Sequence, residues 1–264
     1  MKKKVNILSM MYLAFLMLVF ISGAVGGFFG EAVYFLAFLL PFLIGYMLLR
    51  KDEKPWDVYL GFDRRCAVGT ALVAAPTVTI IMLVSIVTSW IIFNLTGKTD
   101  SVDIGNSILL ALVYHALIPS VLEEALFRYL PMRMLSSHSK RATVILSAVF
   151  FALVHHSLFS IPYAFVAGIV LIVVDMAFES IWPSVIIHFL NNAVSVFLMF
   201  GFGAVVYPLL LTLCAISAVI IFLKRKEYKK LFVPVFSGGE KFKLTVDFAV
   251  FAVITLLIAV VALF

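Results

Sequence analysis

The feature of this sequence that most constrains its fold is a series of apolar runs, each about 16 to 25 residues long, separated by short polar breaks. A helix of about 20 apolar residues crosses the hydrocarbon core of a bilayer. With 64% hydrophobic and 13% charged residues, the 264-residue chain also carries more apolar surface than one soluble core can bury. The sequence therefore predicts an all-α, polytopic membrane protein, with residues 1–264 forming a single membrane domain.

The apolar runs predict about nine transmembrane helices. The expected spans cover residues 5–24, 31–49, 68–93, 107–134, 142–158, 161–178, 182–200, 204–223 and 244–264. The first run follows a basic head and is similar to a secretory signal, so its cleavage would leave eight helices. Its length, and the second run close behind it, favour a retained first helix.

Lysine and arginine fall almost entirely in alternate polar segments. Residues 2–4, 50–67, 133–141 and 224–243 hold 18 of the 20 basic residues. Because basic loops stay on the cytoplasmic side, this pattern predicts a multi-pass cell-membrane protein with its N-terminus in the cytoplasm and its C-terminus outside. Basic clusters between apolar runs, rather than along one exposed face, indicate the lipid bilayer and not a nucleic acid as partner.

Ionisable and polar side chains recur inside the predicted spans, where their burial is costly and where they mark candidate functional sites. They are Glu123, Glu124 and Arg128 in the fourth span, His155 and His156 in the fifth, Asp175 in the sixth, and His188, Asn191 and Asn192 in the seventh. At about 1.5 Å per residue, Glu123 and His155 lie about 18 to 20 Å from the cytoplasmic surface, and Asn192 about 15 Å. We expect side chains from three helices to meet in one cavity in the cytoplasmic half of the bilayer.

Helical spacing predicts different roles for the two adjacent glutamates. Glu124 and Arg128 are four residues apart and are predicted to form an ion pair. Glu123 is rotated about 100° from Glu124, and this spacing leaves it without a partner. An unpaired carboxylate can act as a general base. Pro119 cannot donate a hydrogen bond to the carbonyl of His115, which is expected to loosen the helix one turn before the glutamates.

Two chemistries fit these side chains. Glu123, helped by His155, could deprotonate a water for attack on a peptide carbonyl, while His188 and Asn192 stabilise the oxyanion. Alternatively, Glu123, His155 and His188 could hold a zinc ion that acidifies a bound water. The HExxH motif is absent and the candidate zinc shell is minimal, so the metal-free chemistry is favoured and no cofactor is expected.

Three short motifs occur in order on the predicted spans. They are EExxxR at Glu123–Arg128, FxxxH at Phe151–His155 and HxxxN at His188–Asn192. With these motifs the chain resembles the CAAX protease and bacteriocin-processing family, also called CPBP or Abi, which includes type II CAAX prenyl proteases. The resemblance covers about residues 107–200 and implies a catalytic core there, in an intramembrane endopeptidase whose cavity opens toward the cytoplasm or laterally to lipid.

The resemblance also implies roles and a substrate class. Glu123 would be the catalytic base with His155 assisting, and His188 and Asn192 would contact the oxyanion or a metal. Glu124 and Arg128 would have a supporting, orienting role. The substrate would be a peptide or protein, lipidated or not, in CAAX-type processing, peptide or bacteriocin maturation, or immunity. The oligomeric state is left open.

The sequence also allows two other functions, and it contains polar residues outside the main set. Chains of buried Glu, His and Arg also occur in proton-coupled transporters, and a catalytically silent membrane scaffold is the third class. Outside the main set, His156 is interpreted as a cap or lipid-interface residue and Asp175 as a snorkelling or cavity residue. His115 is a candidate for a supporting role, and Phe151 is interpreted as packing.

Overall fold

The fold is a bundle of helices. The structure, a computed structural model, describes residues 2–49, 58–99, 104–136, 139–155, 157–236, 249 and 252–253. The helices are α1 Lys2–Val25, α2 Gly27–Leu49, α3 Arg64–Thr96, α4 Ile108–Leu135, α5 Lys140–Leu153, α6 Ile161–Phe178, α7 Trp182–Met199, α8 Gly203–Leu223 and α9 Arg225–Phe232. No strand occurs in the described ranges, which confirms the prediction of an all-α chain.

Six of the described helices are long and apolar enough to cross a membrane, namely α1 from Lys3 onward, α3, α4, α6, α7 and α8. Helix α2 contains a shorter apolar stretch, Ala32–Gly45. The predicted span 244–264 lies outside the described residues except at 249 and 252–253. The chain is therefore a polytopic membrane protein, while the count of nine spans stays a prediction.

Helix α5 is shorter than its predicted span of 142–158. It has 14 residues and ends at Leu153. The chain then turns, and His155 N–H donates to the carbonyl of Ala152 at 3.3 Å before α6 begins at Ile161. Pro162 lies in the first turn of α6, where a missing N–H is tolerated. Placing His155 on a helix was therefore wrong, because the apolar run continues past the point where the chain reverses.

Helix α4 contains two wide, π-helical turns, one on each side of the glutamate pair. They span Leu112–Leu117 and Ala125–Tyr129. Pro119 follows the first of them, as expected for a residue that cannot donate to the preceding turn. Such turns leave main-chain groups out of the regular hydrogen-bond ladder and are frequent at functional sites.

The carbonyls of the second wide turn accept hydrogen bonds from neighbouring helices. Tyr12 Oη on α1 donates to the carbonyl of Leu126 at 3.0 Å, and Ser147 Oγ on α5 donates to that of Phe127 at 2.5 Å. The Tyr12 ring also stacks on Phe127, with ring centroids 5.0 Å apart. Helices α1 and α5 therefore hold the backbone that comes after the glutamates.

Helices α5 and α6 approach each other closely through small residues, as is common between membrane helices. A Cβ atom on Gly168 would lie 2.7 Å from the Cα atom of Ala148, which is backbone and cannot move aside. We therefore expect Gly168→Ala to separate the two helices and to destabilise the protein by about 1 to 3 kcal/mol, as overpacking does. The measurement is the thermal unfolding midpoint in detergent.

The matched control for this substitution is Gly23→Ala on α1. No heavy atom lies within 4 Å of a Cβ at Gly23, so this change tests only the difference in helix propensity. An unfolding midpoint for Gly168→Ala equal to that of Gly23→Ala would contradict the close packing of α5 on α6.

The alternation of helix direction gathers most basic residues at one end of the bundle. We call this the basic end; it holds the starts of α1, α3, α5 and α7, the ends of α4 and α8, and α9. The chain segments meet there, because Ile181 N–H donates to the carbonyl of Tyr59 at 2.9 Å and Tyr59 Oη bonds Ser136 Oγ at 3.0 Å. We call the opposite end, where α3 ends and α4 and α8 begin, the far end.

Candidate active site

One cavity of about 570 Å³ is lined by all four residues predicted to carry the chemistry, Glu123, His155, His188 and Asn192. They come from α4, the turn after α5, and α7. The structure thus brings together side chains that are up to 69 positions apart in the sequence. His115, which sequence spacing offered as a supporting residue, lines the same cavity. Glu124 and Arg128 are not among its lining residues.

The second glutamate is held by two cations or potential cations. Arg128 Nε lies 3.1 Å from Glu124 Oε2, and both side chains are fully buried. His188 Nδ1 lies 2.6 Å from Glu124 Oε1. The expected pairing of Glu124 with Arg128 is present. The bond to His188 was not anticipated, because spacing within one helix does not reveal a contact between α4 and α7.

The hydrogen bond to Glu124 fixes how His188 is presented. A carboxylate only accepts hydrogen bonds, so His188 donates from Nδ1 and its Nε2 is left facing the cavity. Nε2 lies 4.0 Å from Glu123 Oε2. Spacing along α4 left Glu123 without a partner on its own helix, and the structure places the imidazole of His188 from α7 beside it. At 4.0 Å the two atoms are too far apart for a direct hydrogen bond.

His155 is oriented by its own chain. Its Nδ1 lies 2.7 Å from the carbonyl oxygen of Phe151, which can only accept, so Nδ1 carries the proton. In the neutral ring Nε2 is then the acceptor. This orientation depends on the turn after α5, because a regular helix would place the carbonyl of Phe151 in a main-chain bond.

The Phe151 ring contacts Arg128, His155 and His188. The Cζ atom of Arg128 lies 3.7 Å from the centroid of the Phe151 ring, a cation–π contact. The same ring meets the imidazoles of His155 and His188 edge to face, with centroids 4.7 and 5.8 Å apart. One aromatic ring thus separates the buried guanidinium from the cavity and contacts both histidines.

Asn192 is positioned by the residue before it. Asn191 Nδ2 donates to Asn192 Oδ1 at 3.2 Å, and both residues line the cavity. With its oxygen engaged, the Asn192 amide nitrogen is the group that can donate to a bound molecule. The sequence predicted no role for Asn191, whose one distinguishing feature is its position beside the motif asparagine.

A buried polar layer lies beside the site. It consists of Glu124, Arg128, Asp175 and Ser184, each with no exposed surface. Asp175 Oδ1 accepts from the main-chain N–H of Ser184 at 2.9 Å, at the start of the helix that carries His188. The interpretation of Asp175 as a snorkelling or cavity residue was therefore wrong. His156 lies outside the described residues.

The zinc alternative needs three ligands that converge. Within the part of the chain that the structure describes, no group of three His, Cys, Asp or Glu side chains does so. Glu123, His155 and His188 share the cavity without forming such a group. The residues present do not fit a zinc shell, so the proposed chemistry assigns no step to a metal.

The cavity extends from the motif residues toward the far end of the bundle. Its lining there includes Ser89 near the end of α3, Tyr114 near the start of α4, and Met199 and Tyr207 where α7 gives way to α8. The resemblance implied an opening either toward the cytoplasmic side, where the sequence places the basic residues, or laterally to lipid. The lining residues instead lie away from the basic end.

Comparison with known proteins agrees with the motifs. Residues 105–194, about a third of the chain, match the model of a family described as type II CAAX prenyl endopeptidase Rce1-like. No curated protein and no solved structure matches the chain. The matched segment begins just before α4, ends within α7 and contains all three motifs. In this segment the chain is similar to the Rce1-like family of type II CAAX prenyl endopeptidases.

Proposed function

We propose that this protein is an intramembrane endopeptidase that hydrolyses a peptide bond of a membrane-associated peptide or protein, lipidated or not. The observation that supports this best is that Glu123, His155, His188 and Asn192 line one cavity. The family description supports CAAX-type processing. The proposed catalytic core is residues 107–200, which holds every one of these side chains.

Glu123 is the proposed general base. Its neighbour Glu124 is engaged by Arg128 and His188, so Glu123 is the carboxylate that faces the cavity, with a side chain 16% exposed. Its carboxylate takes a proton from a water molecule as the water oxygen bonds to the scissile carbonyl carbon. The carbon–nitrogen bond then breaks, and the proton passes to the leaving amine.

His155 assists this proton transfer. Because its Nδ1 proton is donated to the carbonyl of Phe151, Nε2 is the nitrogen that can accept a proton from water or from Glu123. His155 and Glu123 enter the cavity from different elements, the turn after α5 and α4. A substrate segment that fills the cavity between these two elements can contact both groups.

The oxyanion is stabilised by His188 and Asn192. The Asn192 amide nitrogen is left to donate because Asn191 engages the amide oxygen. His188 faces the cavity with Nε2, which donates when the ring is protonated, and Glu124 and Arg128 support it from behind. Donors fixed before the reaction stabilise developing charge without reorganising, which is the largest contribution in many hydrolases.

The test is a cleavage assay with purified protein in liposomes. The substrates are a prenylated and a non-prenylated fluorogenic peptide, and the variants are Glu123→Gln and His155→Ala. Unchanged cleavage in both variants would remove the proposed mechanism. Proton flux without cleavage would favour a transporter, and a folded protein with neither activity a scaffold. Cleavage is also measured with a metal chelator. Loss of cleavage that added zinc restores would show that the water is activated by zinc and not by Glu123 alone.

The bond between the two asparagines gives a smaller, specific effect. We expect Asn191→Ala to lower kcat about fivefold with little change in KM, because losing one hydrogen bond of about 1 kcal/mol frees the Asn192 amide to rotate. The measurement is steady-state cleavage in the same liposomes. Asn94→Ala is the control, since Asn94 is an exposed amide near the end of α3. A kcat equal to that of the control would show that Asn191 does not position Asn192.

A further inference from the structure

Helix α9 runs between the ends of two membrane-spanning helices. It begins at Arg225, two residues after Leu223, the last residue of α8. At its other end the Phe232 ring meets the ring of Phe178, the last residue of α6, with centroids 6.3 Å apart. Helices α6 and α8 are both long and apolar enough to cross a membrane. Because such a span ends where hydrocarbon gives way to headgroups, α9 lies at the level of the lipid headgroups.

Two chemically different faces occur on α9. At about 100° per residue, Lys226, Lys229 and Lys230 fall within an arc of about 100°, which we call the lysine face. Tyr228 and Phe232 lie on another side of the helix, centred about 130° away, and their rings stack with centroids 6.2 Å apart. The two aromatic residues are half-buried, whereas the three lysines are exposed. The aromatic side therefore attaches α9 to the bundle, and the lysine face points away from it.

The positive charge of the lysine face is not neutralised by its surroundings. Among the described residues, no acidic side chain forms an ion pair with any of its three lysines. Glu227, the one acid on α9, lies with Oε2 3.9 Å from Nζ of Lys224, which precedes the helix and is outside the lysine face. The segment 224–230 holds five basic residues and one acidic residue. The three lysines are therefore available to an anion from outside the chain.

The start of α3 extends this positive region. Arg64 and Arg65 are the first two residues of α3, and both are exposed. Gly69, about one turn further along α3, packs directly against the ring of Phe178. The same ring contacts Phe232 on α9. The basic starts of α3 and α9 are thus held around one phenylalanine at the end of α6.

We propose that the lysine face of α9 is a binding site for the anionic headgroup of a phospholipid such as phosphatidylglycerol. Lysine binds phosphate as a point charge, and clusters of four to eight basic residues directly after a membrane span attract anionic lipids. The level of α9 places its lysines among headgroups, where an anionic phosphate carries the complementary charge. A zwitterionic lipid such as phosphatidylcholine has no net charge and is not selected. This site lies at the basic end and is separate from the proposed active site.

The experiment is a lipid-binding titration of the full chain in detergent micelles. Phosphatidylglycerol is titrated against a constant background of phosphatidylcholine, and the lipid that stays bound is counted by native mass spectrometry. The test variant combines Lys226→Gln, Lys229→Gln and Lys230→Gln, which removes the charge of the lysine face. A matched control removes three lysine charges elsewhere and combines Lys3→Gln, Lys98→Gln and Lys140→Gln. The unfolding midpoint of each variant is measured to show that it is folded.

Each lysine beside anionic lipid changes the affinity about fivefold, so the test variant is expected to bind phosphatidylglycerol about 100-fold more weakly than the wild type. The control should stay within about threefold of the wild type. Arginine at the same three positions keeps the charge and should restore the affinity. A test variant that binds as tightly as the wild type would overturn the proposal. An equal loss in the control would overturn it as well, because net charge and not the lysine face would then attract the lipid.

Two measurements on the wild-type chain test the proposal even where a variant fails to fold. Raising sodium chloride from about 0.1 to about 1 M shortens the Debye length from about 10 to about 3 Å, and should weaken phosphatidylglycerol binding about tenfold. Binding that salt does not change would contradict a charged site. Glycerol phosphate, which lacks acyl chains, should not displace the lipid at equal concentration, and displacement would replace the lipid by a soluble phosphate as ligand. None of these measurements uses cleavage, so their outcome is independent of the proposed function.

Discussion

Replacing Glu123 by glutamine is expected to lower kcat for peptide cleavage by about 10²- to 10⁴-fold, the range found when a general base is removed. Glutamine keeps the size of the side chain and fills the same place beside His188, but its amide cannot take a proton from water. The substitution removes one carboxylate that faces the cavity and leaves the pair of Glu124 with Arg128 in place. The measurement is kcat in liposomes.

Two comparisons make this result specific. Glu227→Gln makes the same chemical change on α9, where the side chain is 74% exposed, and is expected to retain full activity. The unfolding midpoint of Glu123→Gln should stay within a few degrees of the wild type, which separates lost chemistry from lost fold. A kcat within about threefold of the wild type would assign the base to another group, with His155 the next candidate.

The largest expected effect on stability comes from Glu124→Gln. The change leaves the fully buried Arg128 guanidinium without its carboxylate partner, and breaking a buried ion pair on one side destabilises proteins by about 3 to 5 kcal/mol. Cleavage should fall as well, because a neutral amide replaces the negatively charged carboxylate that lies 2.6 Å from His188 Nδ1. The measurements are the free energy of unfolding in detergent and kcat on the same preparation.

A second substitution separates the two consequences. Arg128→Met added to Glu124→Gln removes the unpaired charge, so we expect stability to return toward the wild type. Cleavage should stay low, since His188 still lacks a negatively charged partner at position 124. Glu227→Gln breaks the exposed contact with Lys224 and should change the free energy of unfolding by no more than about 0.5 kcal/mol. A double variant no more stable than Glu124→Gln would show that the ion pair is not what stabilises this layer.

Much of the fold was predictable because apolar runs and helices coincide in a membrane protein. The predicted span 161–178 matches α6, and 182–200 and 204–223 differ from α7 and α8 by one residue at one end. The exception is α5, whose apolar run continues beyond Leu153 although the chain has already turned. Periodicity records burial and cannot tell a helix from a buried turn.

The grouping of the site residues could be predicted from depth along the helices, whereas their contacts could not. Counting residues at a fixed rise places Glu123, His155 and Asn192 at similar levels, and they do share a cavity. The rotation of α7 against α4 is set by packing between helices. For that reason the contacts of His188 with Glu124 and Glu123 could not be read from spacing within either helix.

The wide turn at Ala125–Tyr129 also governs the angular phase of α4. A π-helical turn accommodates one extra residue without extra height, so the next part of the helix is offset by about 100° from a regular continuation. Removing one residue from this turn would restore a uniform helix and rotate Leu130–Leu135 about the axis of α4 relative to the glutamates. The inserted residue therefore lets two parts of α4 face different directions. The part before it orients the carboxylates, and the part after it packs against α1.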